Sequence, residues 1–204
     1  MIIHWIPLLC GLLFGFIPSH LLLNSECRYQ RFEGVWRRVI KQPESSQRRR
    51  RWWKLPLVWI EPFRGYVAAS MLADALDPVR NATAVESILP LIVTFMLLWI
   101  TVWLQTGGRI EAGETVSPSA FMGGMMLGLL PPVVAISAII LGVSTAVTLN
   151  SFTPGYIVAS LTTAGIGYLF IGRTPWLAIY TVVVASPLLI NWLRRTTLVM
   201  PIRS

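Results

Sequence analysis

The chain is short of acidic residues, of cysteine and, over long stretches, of charge of either sign. Its 204 residues include 9 Asp+Glu against 17 Lys+Arg, with 2 His and 2 Cys, and only 13% are charged. Soluble domains carry about 25%, so an ordinary soluble domain is excluded, and a hydrophobic share of 54% excludes a disordered tail. Cys10 lies in an apolar run and Cys27 in the polar segment after it, which offers neither a disulfide framework nor a zinc ligand set. Residues 1–10 carry no Lys or Arg ahead of their apolar stretch and no small-residue cleavage pattern. Pro7-Leu8-Leu9 before Cys10 is not a lipoprotein box either, so the first apolar run is expected to be retained.

What remains is long and apolar. A mean hydropathy of +0.64 and this length accommodate roughly four to six membrane spans at about 20 residues each. Five runs qualify: 5–23, 87–104, 120–144, 156–172 and 176–193. The second has no charge and carries Trp99 and Trp103 toward its far end, where indole suits the headgroup boundary. The third belongs to an uncharged stretch, 120–149, with Pro131-Pro132 in its middle. A bend is predicted there, because neither proline donates a backbone hydrogen bond and each ring crowds the preceding turn. Thr153-Pro154-Gly155 and Gly172 to Pro175 read as tight turns. The expectation is an all-α, polytopic helical protein, 1–204, forming one integral membrane domain of about five transmembrane helices.

Orientation follows from the basic residues, which collect on the cytoplasmic side near span ends. Residues 24–86 hold 12 of the 17; the Gln105–Pro118 loop holds Arg109, the Gly172 turn Arg173, and the tail Arg194, Arg195 and Arg203. Five passes place 15 of them on one face and two on the other, with the N-terminus outside and the C-terminus cytoplasmic. The expected location is a bacterial cytoplasmic membrane. Leu55 to Leu76 competes as a sixth span, but it would put Glu61, Arg64 and Asp74 in hydrocarbon at about 2–3 kcal/mol each and send the Arg194-Arg195 tail outside. A shallow or re-entrant element broken at Glu61-Pro62 is therefore expected.

The cytoplasmic basic segment, 24–86, is read as a lipid contact. From Arg28 to Lys41 the apolar Tyr29, Phe32, Trp36, Val39 and Ile40 recur at helical spacing, opposite Arg28, Arg31, Arg37, Arg38 and Lys41. That is the pattern of an amphipathic helix lying in the interface. Arg48, Arg49, Arg50, Arg51, Trp52, Trp53 and Lys54 then return the chain to the surface, each basic residue contributing about 1 kcal/mol against an anionic inner leaflet. Nucleic-acid binding by the same residues is disfavoured, since no nucleic-acid-binding motif accompanies them.

Ionisable groups inside a bilayer mark function because they are costly there. The last four runs contain none, which argues against a proton relay or ion-coupled carrier, although carbonyls freed at Pro131 and Pro132 offer a coordination site. The weak catalytic candidates are His20, Glu61 and Asp74, as general base and orienting carboxylates, with Arg64 or Arg80 holding a phosphate. A cap for His20 and mutual pairing for the others is the plainer reading. No metal and no cofactor are expected. Gly11/Gly15, Gly124/Gly128, Gly142/Ala146 and Ser160/Ala164 stand four apart, as in closely packed membrane helices. Asn81-Ala82-Thr83 matches a glycosylation acceptor but falls on the inner side.

Gly11 to Pro18 (GLLFGFIP), followed by a long basic segment, is similar to the opening of prepilin peptidases and glycerol-phosphate acyltransferases. The chain departs from both, having no pair of CxxC motifs, no Gly-x-Gly-Asp and no glycine-rich phosphate loop, and no family is assigned on it. The expected role is a non-enzymatic scaffold or accessory subunit of a membrane assembly, with other membrane subunits or as a homo-oligomer. A small oligomeric permease or lipid transporter, and then a lipid-modifying enzyme at the cytoplasmic interface, are the alternatives.

Overall fold

A computed structural model describes residues 2–18, 27–31, 56–77, 84–106 and 114–203. The architecture is all-α, with seven helices among the described residues: α1 (Trp5–Phe16), α2 (Pro56–Ala73), α3 (Ala84–Gln105), α4 (Ser119–Leu129), α5 (Pro132–Thr148), α6 (Phe152–Ile171) and α7 (Pro175–Arg194). Residues 88–105 of α3, together with all of α6 and α7, are long and apolar enough to cross a membrane, and α1, α4 and α5 are shorter apolar helices. The chain thus has the makeup of an integral, multi-pass membrane protein. Its outer surface agrees, with Ile6, Leu169 and Trp192 each 78% exposed.

Small strands at the two ends of the bundle show which segments lie together. At one end β1 (Ile2–Ile3) pairs antiparallel with β3 (Leu76–Asp77). At the other, β5 (Thr197–Arg203) lies between β2 (Cys27–Arg31), antiparallel to it, and β4 (Glu114–Val116), parallel to it. This second end is called the sheet end below. Arg28 to Arg31, expected to open an amphipathic helix, is therefore part of a strand, Cys27–Arg31, to which the tail supplies hydrogen-bonding partners along its whole length. Residues 32–55, which hold Arg37, Arg38, Arg48, Arg49, Arg50, Arg51, Trp52, Trp53 and Lys54, lie outside the described residues.

Two expectations are corrected. The Leu55 to Leu76 element is not broken at Glu61-Pro62; α2 runs continuously through Pro62. It sits in the middle of the bundle, with Ala68, Ala69 and Leu72 fully buried. It is antiparallel to α1, with Gly11 against Leu72, Gly15 against Ala68, and the His4 amide donating to the Ala75 carbonyl at 2.9 Å. The apolar run at 120–149 is not one bent span either. The chain breaks at Leu130-Pro131, both extended, and reverses, so α4 and α5 form a V whose apex is Pro131-Pro132. With a helix added by each correction, the Gln105–Pro118 loop comes to the same end as the tail, where β4 pairs with β5. Five alternating passes would have separated them.

Glycine sets the spacing of two helix pairs. A Cβ on Gly124 would fall 1.9 Å from the Pro62 carbonyl oxygen, and one on Gly65 would fall 2.1 Å from that of Phe121. The backbones of α2 and α4 thus touch, which a side chain at either position would prevent. In α5 and α6 the contact is reciprocal: Gly142 faces Gly155 and Ala159, and Gly155 faces Gly142 and Ala146. Between these pairs lie two apolar clusters, one around Leu72, Leu98, Phe121 and Ile190, the other around Met126, Val134, Ala138 and Val184, with α7 contributing to both.

Candidate functional site

The last carbonyls of a helix have no partner within it and carry the negative end of its dipole. At the sheet end of α1 these groups are met from the side. Arg64 of α2 donates through Nη2 to the carbonyls of Phe14, at 3.1 Å, and Ile17. Gln105, the last residue of α3, donates through Nε2 to Gly15 at 2.6 Å and Ile17 at 2.8 Å. The Arg64 Nη1 donates to Glu61 Oε1 at 2.6 Å, one helical turn away, and the guanidinium lies 5.8 Å from the centre of the Phe121 ring. Glu61 and Arg64 are both buried. The pair is neutral, faces protein rather than lipid, and is occupied in tying three helices together.

That geometry bears on the catalytic candidates. Glu61 is at the sheet end, whereas Asp74 follows the last residue of α2 and is exposed at the opposite end. Thirteen residues of helix put them about 20 Å apart. His20 lies outside the described residues. The structure therefore does not bring Asp74 to Glu61, and Glu61 already has Arg64 as partner. Among the described residues no group of three or more His, Cys, Asp and Glu could hold a metal ion. The Pro131 carbonyl, a candidate ligand group, accepts from the Ala135 amide at 3.0 Å as the first bond of α5.

Below the proline apex the V of α4 and α5 encloses an apolar groove of about 230 Å³. One wall is Met122, Gly123 and Met126; the other includes Ala138, Gly142 and Val143; Gly155, Tyr156 and Ala159 of α6 form the floor. Among the described residues its polar side chains lie toward the sheet end, where Ser119 lines it and Tyr156 Oη is 3.2 Å from Ser117 Oγ. Sequence reasoning marked Gly142/Ala146 and the proline pair but not the groove, which exists because the prolines reverse the chain.

A second cavity, of about 680 Å³, lies at the sheet end between the first turn of α6 and the last turn of α7. Thr153, Asn191, Arg195 and Thr196 line it together with Ile157, Leu188, Trp192 and Leu193. Beside it Arg194 turns inward, donating to the Thr106 carbonyl at 2.9 Å and stacking over the Trp103 ring at 4.2 Å.

No protein-family model matches the chain, and no curated protein or solved structure is significantly similar to it.

Proposed function

We propose that the protein is a non-enzymatic scaffold or accessory subunit of a membrane assembly, and that the α4–α5 groove receives an apolar transmembrane helix of a partner subunit. The groove is the observation that carries this reading: it is walled by small and flexible residues, opens on the apolar surface and has no Asp, Glu, Lys, Arg or His among the described residues that line it. Glycine and alanine walls admit a helix backbone closely, and methionines adapt to its side chains. The buried charges that a catalytic or ion-coupled protein would use are engaged in holding α1.

Orientation supports the same assembly. With helix ends alternating between the two ends of the bundle, the connections and tail at the sheet end carry 14 of the 17 basic residues, and those at the opposite end carry Arg80 and Arg173. The sheet end is then cytoplasmic, the N-terminus outside and the C-terminus inside. The polybasic run from Arg48 to Lys54 belongs to the α1–α2 connection and meets the anionic inner leaflet.

Two measurements test this. In a variant with Cys10 and Cys27 replaced by serine, Ser46→Cys and Arg109→Cys label from the same, cytoplasmic side; labelling from opposite sides would restore five passes. A photoactivatable residue at Val143, in the groove, gives a discrete protein adduct in native membranes, while one at Leu169 on the outer face of α6 does not. A lipid adduct alone at Val143 overturns the partner-helix reading and favours a lipid transporter, for which the groove's apolar lining is equally suited.

A further inference from the structure

We infer that the cavity between α6 and α7 at the sheet end binds the phosphate group of a membrane phospholipid, with Arg195 as its cation. The polar groups along the cavity, Thr153, Asn191, Arg195 and Thr196, suit an anion with several acceptor oxygens. Thr196 Oγ1 donates to Asn191 Oδ1 at 2.9 Å, which occupies the amide oxygen and leaves the Asn191 NH₂ to donate into the cavity. Thr196 is held in turn by Thr115, whose Oγ1 is 3.1 Å away. Thr153 adds a hydroxyl from α6, and Arg195 adds the guanidinium fork that matches phosphate geometry. Among the described residues no acidic side chain lines the cavity and no carboxylate pairs with Arg195.

The backbone of Arg195 is in the left-handed region, φ 51° and ψ 45°, immediately after α7. Glycine or asparagine is the usual residue for such a helix end. An arginine there gives up backbone ease and places a cation on the cavity wall.

The lower wall points to a lipid rather than to free phosphate. Ile157, Trp192 and Leu193 are exposed, and Leu161, one turn beyond Ile157 on α6, is 67% exposed. They make an apolar track running from the polar cavity down two helices that are long enough to span. Basic pockets between membrane helices on the cytoplasmic side are suited to anionic headgroups. The inference requires α6 and α7 to cross the bilayer and is independent of what fills the α4–α5 groove.

The test uses the full chain in detergent, with lipid occupancy read by native mass spectrometry and by thermal shift. Arg195→Gly keeps the left-handed backbone accessible and removes only the side chain. It is expected to bind dioleoyl phosphatidylglycerol about tenfold more weakly, while Arg195→Lys binds within a fewfold of the parent and Arg173→Gln, at the opposite end, is unchanged. Glycerol 3-phosphate and inorganic phosphate are expected to leave the melting temperature where it was. Equal lipid occupancy in Arg195→Gly and the parent overturns the site. A shift with inorganic phosphate as large as with the lipid overturns the assignment to a phospholipid.

Discussion

The α2–α4 and α5–α6 pairs solve one problem in two ways. Each brings two helix backbones together through glycine, but α2–α4 does so beside a buried Glu61–Arg64 pair, and α5–α6 without any charge. The uncharged pair depends on local sequence: its partners are joined by a short turn at Leu149 to Ser151, and its small residues face each other reciprocally. The charged pair joins helices far apart in sequence, and its arginine also reaches a third helix, α1. A membrane interior gives no hydrophobic reward for helix association, so packing and polar contacts must hold helices together. Distant helices here use both, and adjacent ones use packing alone.

This contrast sets the order of expected effects. The largest is Arg64→Met, which takes the cation from beside the buried Glu61 and removes a donor from the carbonyls of Phe14 and Ile17. A loss of about 4 kcal/mol in unfolding free energy is expected by detergent titration. Adding Glu61→Leu to that variant should recover most of the loss; if the double variant is as unstable as the single, the loss does not come from the buried Glu61 charge.

Next comes Gly124→Ala, whose new carbon would fall on the Pro62 carbonyl and force the two backbones apart, at about 3 kcal/mol. The matching change in the other pair, Gly142→Ala, meets the Ala159 side chain and the Gly155 carbonyl at 3.0 Å, and about 1 kcal/mol is expected. Equal losses at the two positions would show that the pairs are equally tight. The smallest effect is at Gly165, where nothing lies within 4 Å of an added Cβ. Gly165→Ala should lie between no change and about 1 kcal/mol of stabilisation, from helix propensity alone.

Parts of this arrangement were legible in the sequence. The charge-free runs marked α3, α6 and α7 to within a few residues of their ends, since a helix of that length and hydropathy has few other solutions. The pairs Gly11/Gly15, Gly124/Gly128 and Gly142/Ala146 each fall on a helix contact. The burial of α2 within the bundle was not legible, because Glu61 and Arg64 counted singly look costly away from water, whereas one turn apart and turned inward they neutralise each other. Nor was the reversal at Pro131: a proline pair shows that a helix stops, and the direction of the next helix depends on what it packs against. The sheet was hidden for a similar reason. Its strands are three to seven residues long and far apart in sequence, and only the partner strand distinguishes them from loop. The Arg195 cavity needs the end of α7 beside the start of α6, a juxtaposition that no local spacing carries.

The three-stranded sheet also imposes an order on biogenesis. Its middle strand, β5, is encoded after both of its neighbours, so β2 and β4 wait with open edges until residues 197–203 have left the ribosome. At about 5–20 residues per second, β2 waits several seconds or more while the helices insert. A chain cut short before Thr197 would keep its apolar helices yet expose two unpaired strands on the sheet-end surface. The tail is thus the closing stitch of the fold, and its absence would give quality-control machinery a visible mark of an unfinished protein.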